Sequence, residues 1–206
     1  MVIRSKERLT ISKPFNIVLV EPEIPPNTGN IARLCAATDS RLHLIHPLGF
    51  KISDKELKRA GLDYWHLLNV EEHESWKEFS EKYHLARHCK KRSDETISKT
   101  LERLPRRCFM PPRNDAKVRF WFISTRGEKN IWDVEFNPGD FLIFGSETKG
   151  LNEDILYSPQ NKDFVISVPM NGLARSLNLS TAVGVVLYEA IRQVTIEKKI
   201  FDVVPI

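Results

Sequence analysis

Short apolar runs closed by turn residues recur along the chain at Phe15–Val20, Leu42–His46, Val118–Ser124, Phe141–Phe144 and Phe164–Val168, with a weaker one at His66–Val70. Runs this continuous mark strands buried on both faces. Helical spacing fills several of the gaps. Ile31, Leu34 and Cys35 follow an Asn-Thr-Gly-Asn start in which Asn30 reads as an N-cap. Lys55–Ala60 is a short helix candidate stopped by Gly61, and Trp76, Phe79 and Tyr83 form another stripe. From Leu177 to Tyr188 the chain is almost free of charge, which predicts a helix buried on most sides, against the sheet or another subunit. Strands alternating with helices predict an α/β fold, a largely parallel sheet with helices on both faces.

One stretch breaks the rhythm. About residues 84–116 the sequence turns polar, basic and Pro-punctuated, with helical potential around Thr96–Leu104. It cannot bury a core of its own, so the expected organisation is a single domain over 1–206. To that domain are added an N-terminal extension (1–14) and a basic insertion (about 84–116). The overall net charge of +4 is mild, but twelve of the basic residues against four acidic ones fall between Lys82 and Arg119. That local excess suits phosphate contact and equally suits a solvated segment.

No apolar run approaches the roughly 18–20 residues needed to span a bilayer. The basic start lacks an apolar signal core. Cys35, Cys89 and Cys108 make no disulfide framework, so a cytoplasmic setting is expected.

Three segments that each follow a predicted strand are candidates for chemistry. In EPEIPPNTGNIAR (21–33), Pro25 and Pro26 stiffen a loop, Asn27 and Asn30 are able to cap a helix, and Arg33 sits about one turn in. A helix N-terminus beside an arginine suits phosphate or ribose. In FLIFGSETKGL (141–151), Gly145 lets the backbone approach a ligand, and Glu147 needs a partner or water where an apolar strand ends. In VPMNGLARSLNLSTAVGVVLYEAIR (168–192), Arg175, Ser176 and Asn178 occupy a polar loop between strand and helix. Taken singly, each is also an ordinary capped helix or strand-to-helix loop, and Tyr188 reads as a core tyrosine.

Dinucleotide, P-loop and serine-hydrolase signatures are absent. His84, His88, Cys89 and Cys108 fit no standard zinc spacing, so no metal is expected. His43 and His46, at a strand end, read as packing and capping residues.

Together, NTGNIAR, FGSETKGL and VPMNGLARSLNLSTAVGVVLYEA resemble the three signature motifs of the SPOUT superfamily of RNA methyltransferases. IHPLGF (45–50) and AGLDYW (60–65) point within it to the subgroup that methylates the wobble 2′-hydroxyl of certain leucine tRNAs. The resemblance covers about 15–65 and 118–194, and the stretch at 84–116 has no counterpart in it.

The resemblance implies a trefoil-knotted fold, S-adenosylmethionine as methyl donor, an obligate homodimer and the tRNA anticodon stem-loop as partner. Position by position, it places cofactor contacts on Ile123, Gly145, Val168, Ser176, Leu177 and Asn178. Substrate contacts fall on Asn30, Arg33, Glu147, Lys149 and Arg175, and the catalytic candidates are Arg33 and Tyr188. Arginine stays protonated and phenols titrate near ~10, so neither is a ready base. Arg33 then orients phosphate or ribose, and Tyr188 accepts the proton if cationic groups gather around it. Two other readings remain: methylation of another ribose in tRNA or rRNA, and a non-catalytic RNA-binding protein of the same fold.

Overall fold

The computed structural model describes residues 14–50, 68–88, 118–159 and 161–198. Five of the apolar runs form strands close to where the pattern places them. They are β1 (Asn16–Val20), β2 (Arg41–Ile45), β4 (Phe120–Ile123), β6 (Phe141–Phe144) and β7 (Val165–Ser167). The weak run at His66–Val70 is displaced: the strand there is β3, Val70–His73. Its Val-Glu-Glu-His sequence is polar because β3 is an edge strand, paired on one side only among the described residues. The two-residue β5 (Lys129–Asn130) forms the opposite edge and has no apolar signal at all.

The sheet order is β3-β2-β1-β6-β4-β7-β5, and every pair is parallel. Side chains alternate between its faces along each strand. Ile17, Leu19, Leu42, Leu44, Leu142 and Phe144 face α1 (Pro25–Thr38) and the C-terminal helix. Val18, Val20, Ile45, Phe120, Phe122 and Ile143 face α2 (Trp76–His88) and the short α3 (Glu153–Leu156). The C-terminal helix is α4 (Leu179–Lys198), which packs on α1 and β6. Helices thus cover both faces, as the alternating pattern requires.

The stripe Trp76, Phe79, Tyr83 is the buried side of α2, and the helix runs on to His88, past the expected start of the insertion. The rest of that stretch, the Lys55–Ala60 helix and the Thr96–Leu104 segment lie outside the described residues, as do Cys89 and Cys108.

Candidate functional site

Because the strands are parallel, their carboxyl ends share one edge of the sheet. Adjacent strands β1, β6, β4 and β7 raise there the loops at 21–24, 145–152, 124–128 and 168–178. Ligands of open parallel sheets bind at this edge.

The first loop is organised from a distance. α1 starts at Pro25, with Ile24 at the N-cap position and both prolines in the first turn. Asn30 is therefore an exposed residue inside the helix, not its cap, and Arg33 lies in the third turn instead of the first. The local cap signal loses because the two prolines start the helix well before Asn30, and a carboxylate on another loop holds the chain that leads into it. Glu147 accepts hydrogen bonds from Glu23 N (2.8 Å), Ile24 N (3.2 Å) and Asn27 Nδ2 (2.9 Å). The two backbone donors lie just ahead of a helix whose first two residues, both proline, have no N–H, so the carboxylate fixes the chain entering the helix and is favoured there by the helix dipole. Thr148 adds a second tie by donating to the Glu23 carboxylate at 2.8 Å.

Asn27 passes the connection on: its Oδ1 accepts from Asn178 Nδ2 at 2.9 Å. The Asn178 Oδ1 in turn caps α4, accepting from Ser180 N at 2.9 Å and Ser180 Oγ at 2.7 Å. One polar relay, Asn178–Asn27–Glu147, therefore locks the three motifs together. Sequence reasoning treated Asn27 as a cap only and overlooked Glu23 and Thr148, since nothing local shows that residues more than a hundred positions apart will meet.

Gly145 is obligatory for a reason other than the one its position suggests. A Cβ there would lie 2.0 Å from Gly150 C and 2.2 Å from Leu151 N, so the close approach is by the loop's own return. Gly150 closes that return with φ +69° and an N–H bond to Ser146 O of 2.9 Å. Gly127 was not singled out, yet its Cβ would lie 2.5 Å from Ile166 C, so the Ser124–Gly127 turn lies directly against β7.

Ile123, half-buried at the end of β4, lies in strand order between the buried Gly145 that follows β6 and the half-buried Val168 that follows β7. Residues 171–178 are exposed in the single chain, Arg175, Ser176 and Leu177 among them, and Lys149 is exposed as well. Tyr188 is not a core tyrosine: it is 56% exposed, on a stripe of α4 with Val185 (41%). Arg33 is exposed on α1, the helix packed beside α4. Cys35 lies in the core beneath, where burial pushes its thiol up to about 12 and makes it chemically inert.

The sequence pattern of the SpoU rRNA Methylase family matches residues 14–109 and 108–188. The chain belongs to the SpoU methylase family. This SpoU methylase is 43% identical over 179 residues to a tRNA (cytidine(34)-2′-O)-methyltransferase of Saccharophagus degradans, covering 87% of this chain and 95% of the relative. It is 40% identical to a putative tRNA (cytidine(34)-2′-O)-methyltransferase of Bacillus subtilis, covering 87% and 92%. Among solved structures, one concerned with 2-OH methylation of C/U34 on tRNA superposes with a TM-score of 0.66 at 40% identity, covering 89% and 97%. A putative RNA methyltransferase from Bacillus anthracis superposes at 0.67 and 36% identity, covering 87% and 93%. The α/β architecture with a parallel sheet between helices is the one these SpoU proteins share.

Proposed function

We propose that this SpoU methylase transfers a methyl group from S-adenosylmethionine to the ribose 2′-hydroxyl of the wobble nucleotide of tRNA, leucine isoacceptors being the expected targets, and acts as a homodimer. The observation that carries the reading is the locking of all three signature loops by Asn178–Asn27–Glu147 at the carboxyl edge of the sheet.

The residues at that edge fit the donor. Ile123 and Val168 offer apolar surface, Ser176 to Asn178 offer exposed polar and backbone groups, and the buried Thr28 hydroxyl has no partner among the described residues. S-adenosylmethionine, when bound, supplies an electrophilic methyl group. Ile123, Gly145, Val168, Ser176 and Leu177 would hold it, and Asn178 would fix the loop that does so.

The protein's remaining task is to present a poor nucleophile in line and take its proton. Arg33, Lys149 and Arg175 are exposed cations suited to ribose or phosphate, and Asn30 lies on the exposed side of the same helix as Arg33. Tyr188 is the proton acceptor in this scheme provided cationic groups gather around it, and its exposure on the α4 stripe leaves it accessible to a substrate or a second subunit that brings them. Methyl transfer from a sulfonium needs no metal for its chemistry. Among the described residues no helix is long and apolar enough to cross a membrane.

Mapping 2′-O-methylation in total tRNA incubated with the pure protein and labelled cofactor tests the assignment, with label expected at position 34. The family description names rRNA, which favours a ribosomal ribose as the second reading, so rRNA belongs in the same assay. Calorimetry with S-adenosylmethionine separates both from a non-catalytic RNA-binding protein. Tyr188→Phe should lower turnover about a hundredfold with unchanged cofactor affinity; normal turnover would remove Tyr188 from the mechanism.

A further inference from the structure

A second cluster of chemistry-bearing groups lies on the other face of the sheet, under α2. His43 on β2 stands beside Glu71 in register on β3, and His73 follows two residues on, so all three side chains project from the same face. His43 Nδ1 lies 3.2 Å from His73 Nε2, and Glu71 Oε2 lies 3.8 Å from each of those nitrogens. A point equidistant from atoms so spaced is about 2.1 Å from all three, the length of a zinc–imidazole or zinc–carboxylate bond. We propose that His43, Glu71 and His73 form a three-ligand Zn2+ site, its fourth position open to water on the partly exposed Glu71 side, that fastens the edge strand β3 to the sheet, separate from the methyl-transfer edge.

The surrounding bonds set up the ligands for this role. Asn16 Nδ2 donates to Gly139 O at 2.9 Å, which turns its Oδ1 toward His43 Nε2 at 3.4 Å. His43 therefore carries its proton on Nε2 and directs the Nδ1 lone pair at the cluster, the outer-shell arrangement that fixes metal-binding imidazoles. His43 and His73 are buried among Phe79, Tyr83 and Phe141, so neither ring has freedom to turn away. Tyr83 OH donates to Glu71 Oε2 at 2.9 Å and would remain as a partner of the bound carboxylate. Glu71 is partly exposed, which leaves an approach from solvent.

Two groups compete with the ion. In the metal-free chain a proton shared between the imidazoles occupies its place. Lys82 Nζ, 2.9 Å from Glu71 Oε2, offers a rival positive charge to the same carboxylate. That rivalry gives the proposal a distinctive consequence: removing the lysine charge should tighten metal binding, where removing an unrelated surface lysine would not.

The test is equilibrium dialysis of the full-length protein against micromolar Zn2+, with metal content per chain read by mass spectrometry. One Zn2+ per chain is expected, weakened at least about tenfold by Glu71→Gln or His73→Gln and strengthened by Lys82→Met. Glu71→Gln and Lys82→Met alter partly exposed side chains, so the test survives if His73→Gln fails to fold. Co2+ in place of Zn2+ should show d–d bands without a thiolate charge-transfer band. Failure to retain metal, unchanged binding in Glu71→Gln, unchanged or weaker binding in Lys82→Met, or a thiolate band pointing to Cys89 and Cys108 would each overturn it.

Discussion

Glu147 shows how a single side chain serves the fold in a way its motif does not disclose. In the sequence it looks like a substrate ligand; in the fold its carboxylate is spent on Glu23 N, Ile24 N and Asn27 Nδ2. Glu147→Ala leaves those donors without their acceptor and should cost on the order of 3 kcal/mol, readable in urea unfolding without any substrate present. An unchanged midpoint would return Glu147 to the substrate. Gly145→Ala should be at least as damaging, about 3 kcal/mol or more, because the clash is with main chain at Gly150 and Leu151 that no rotamer relieves.

Elements differ sharply in how far local sequence discloses them. The central strands are legible because parallel strands covered on both faces must be continuously apolar. β3 and β5 are not, because edge strands need no such run and β5 is Lys-Asn alone. The start of α1 is hidden for another reason: the chain leading into it is held by a residue more than a hundred positions away. α4 is legible as a helix covered by the sheet or another subunit, but which residues turn inward (Val183, Val186, Leu187 and Ala190) and which form the outward stripe (Val185 and Tyr188) is not. Apolar and aromatic residues exposed there, with Leu177 (37%) just before the helix, are what a subunit interface would cover. Val185→Glu should then convert a dimer to a monomer in light scattering at micromolar concentration. Retention of the dimer would place its interface elsewhere.

At the scale of the whole molecule, Cys35 offers a readout of global opening. Its thiol is inert while the core that contains β1, α1 and α4 is intact. Alkylation measured on the peptide carrying Cys35 should therefore track complete unfolding in denaturant, with no reaction through local fluctuation. Labelling well below the unfolding midpoint would show that α1 opens separately. The candidate site was legible as three loops at strand ends. Their mutual locking was not, since it depends on contacts such as Asn27 to Asn178 that span 151 positions.

The place of β6 at the centre of the sheet has a consequence for synthesis on the ribosome. β6 joins β1 on one side to β4 on the other, yet it follows both in the chain. Until Phe141–Phe144 emerges, the nascent protein holds the fragment β1-β2-β3 and the single strands β4 and β5, whose own partners are still to come. At roughly 5–20 residues added per second, the edge of β1 that β6 will cover stays unpaired from Val20 until Phe144, more than half of the chain's synthesis. The protein should therefore lean on holdase protection while nascent, and translational pausing before residue 141 should raise its aggregation more than pausing after 198.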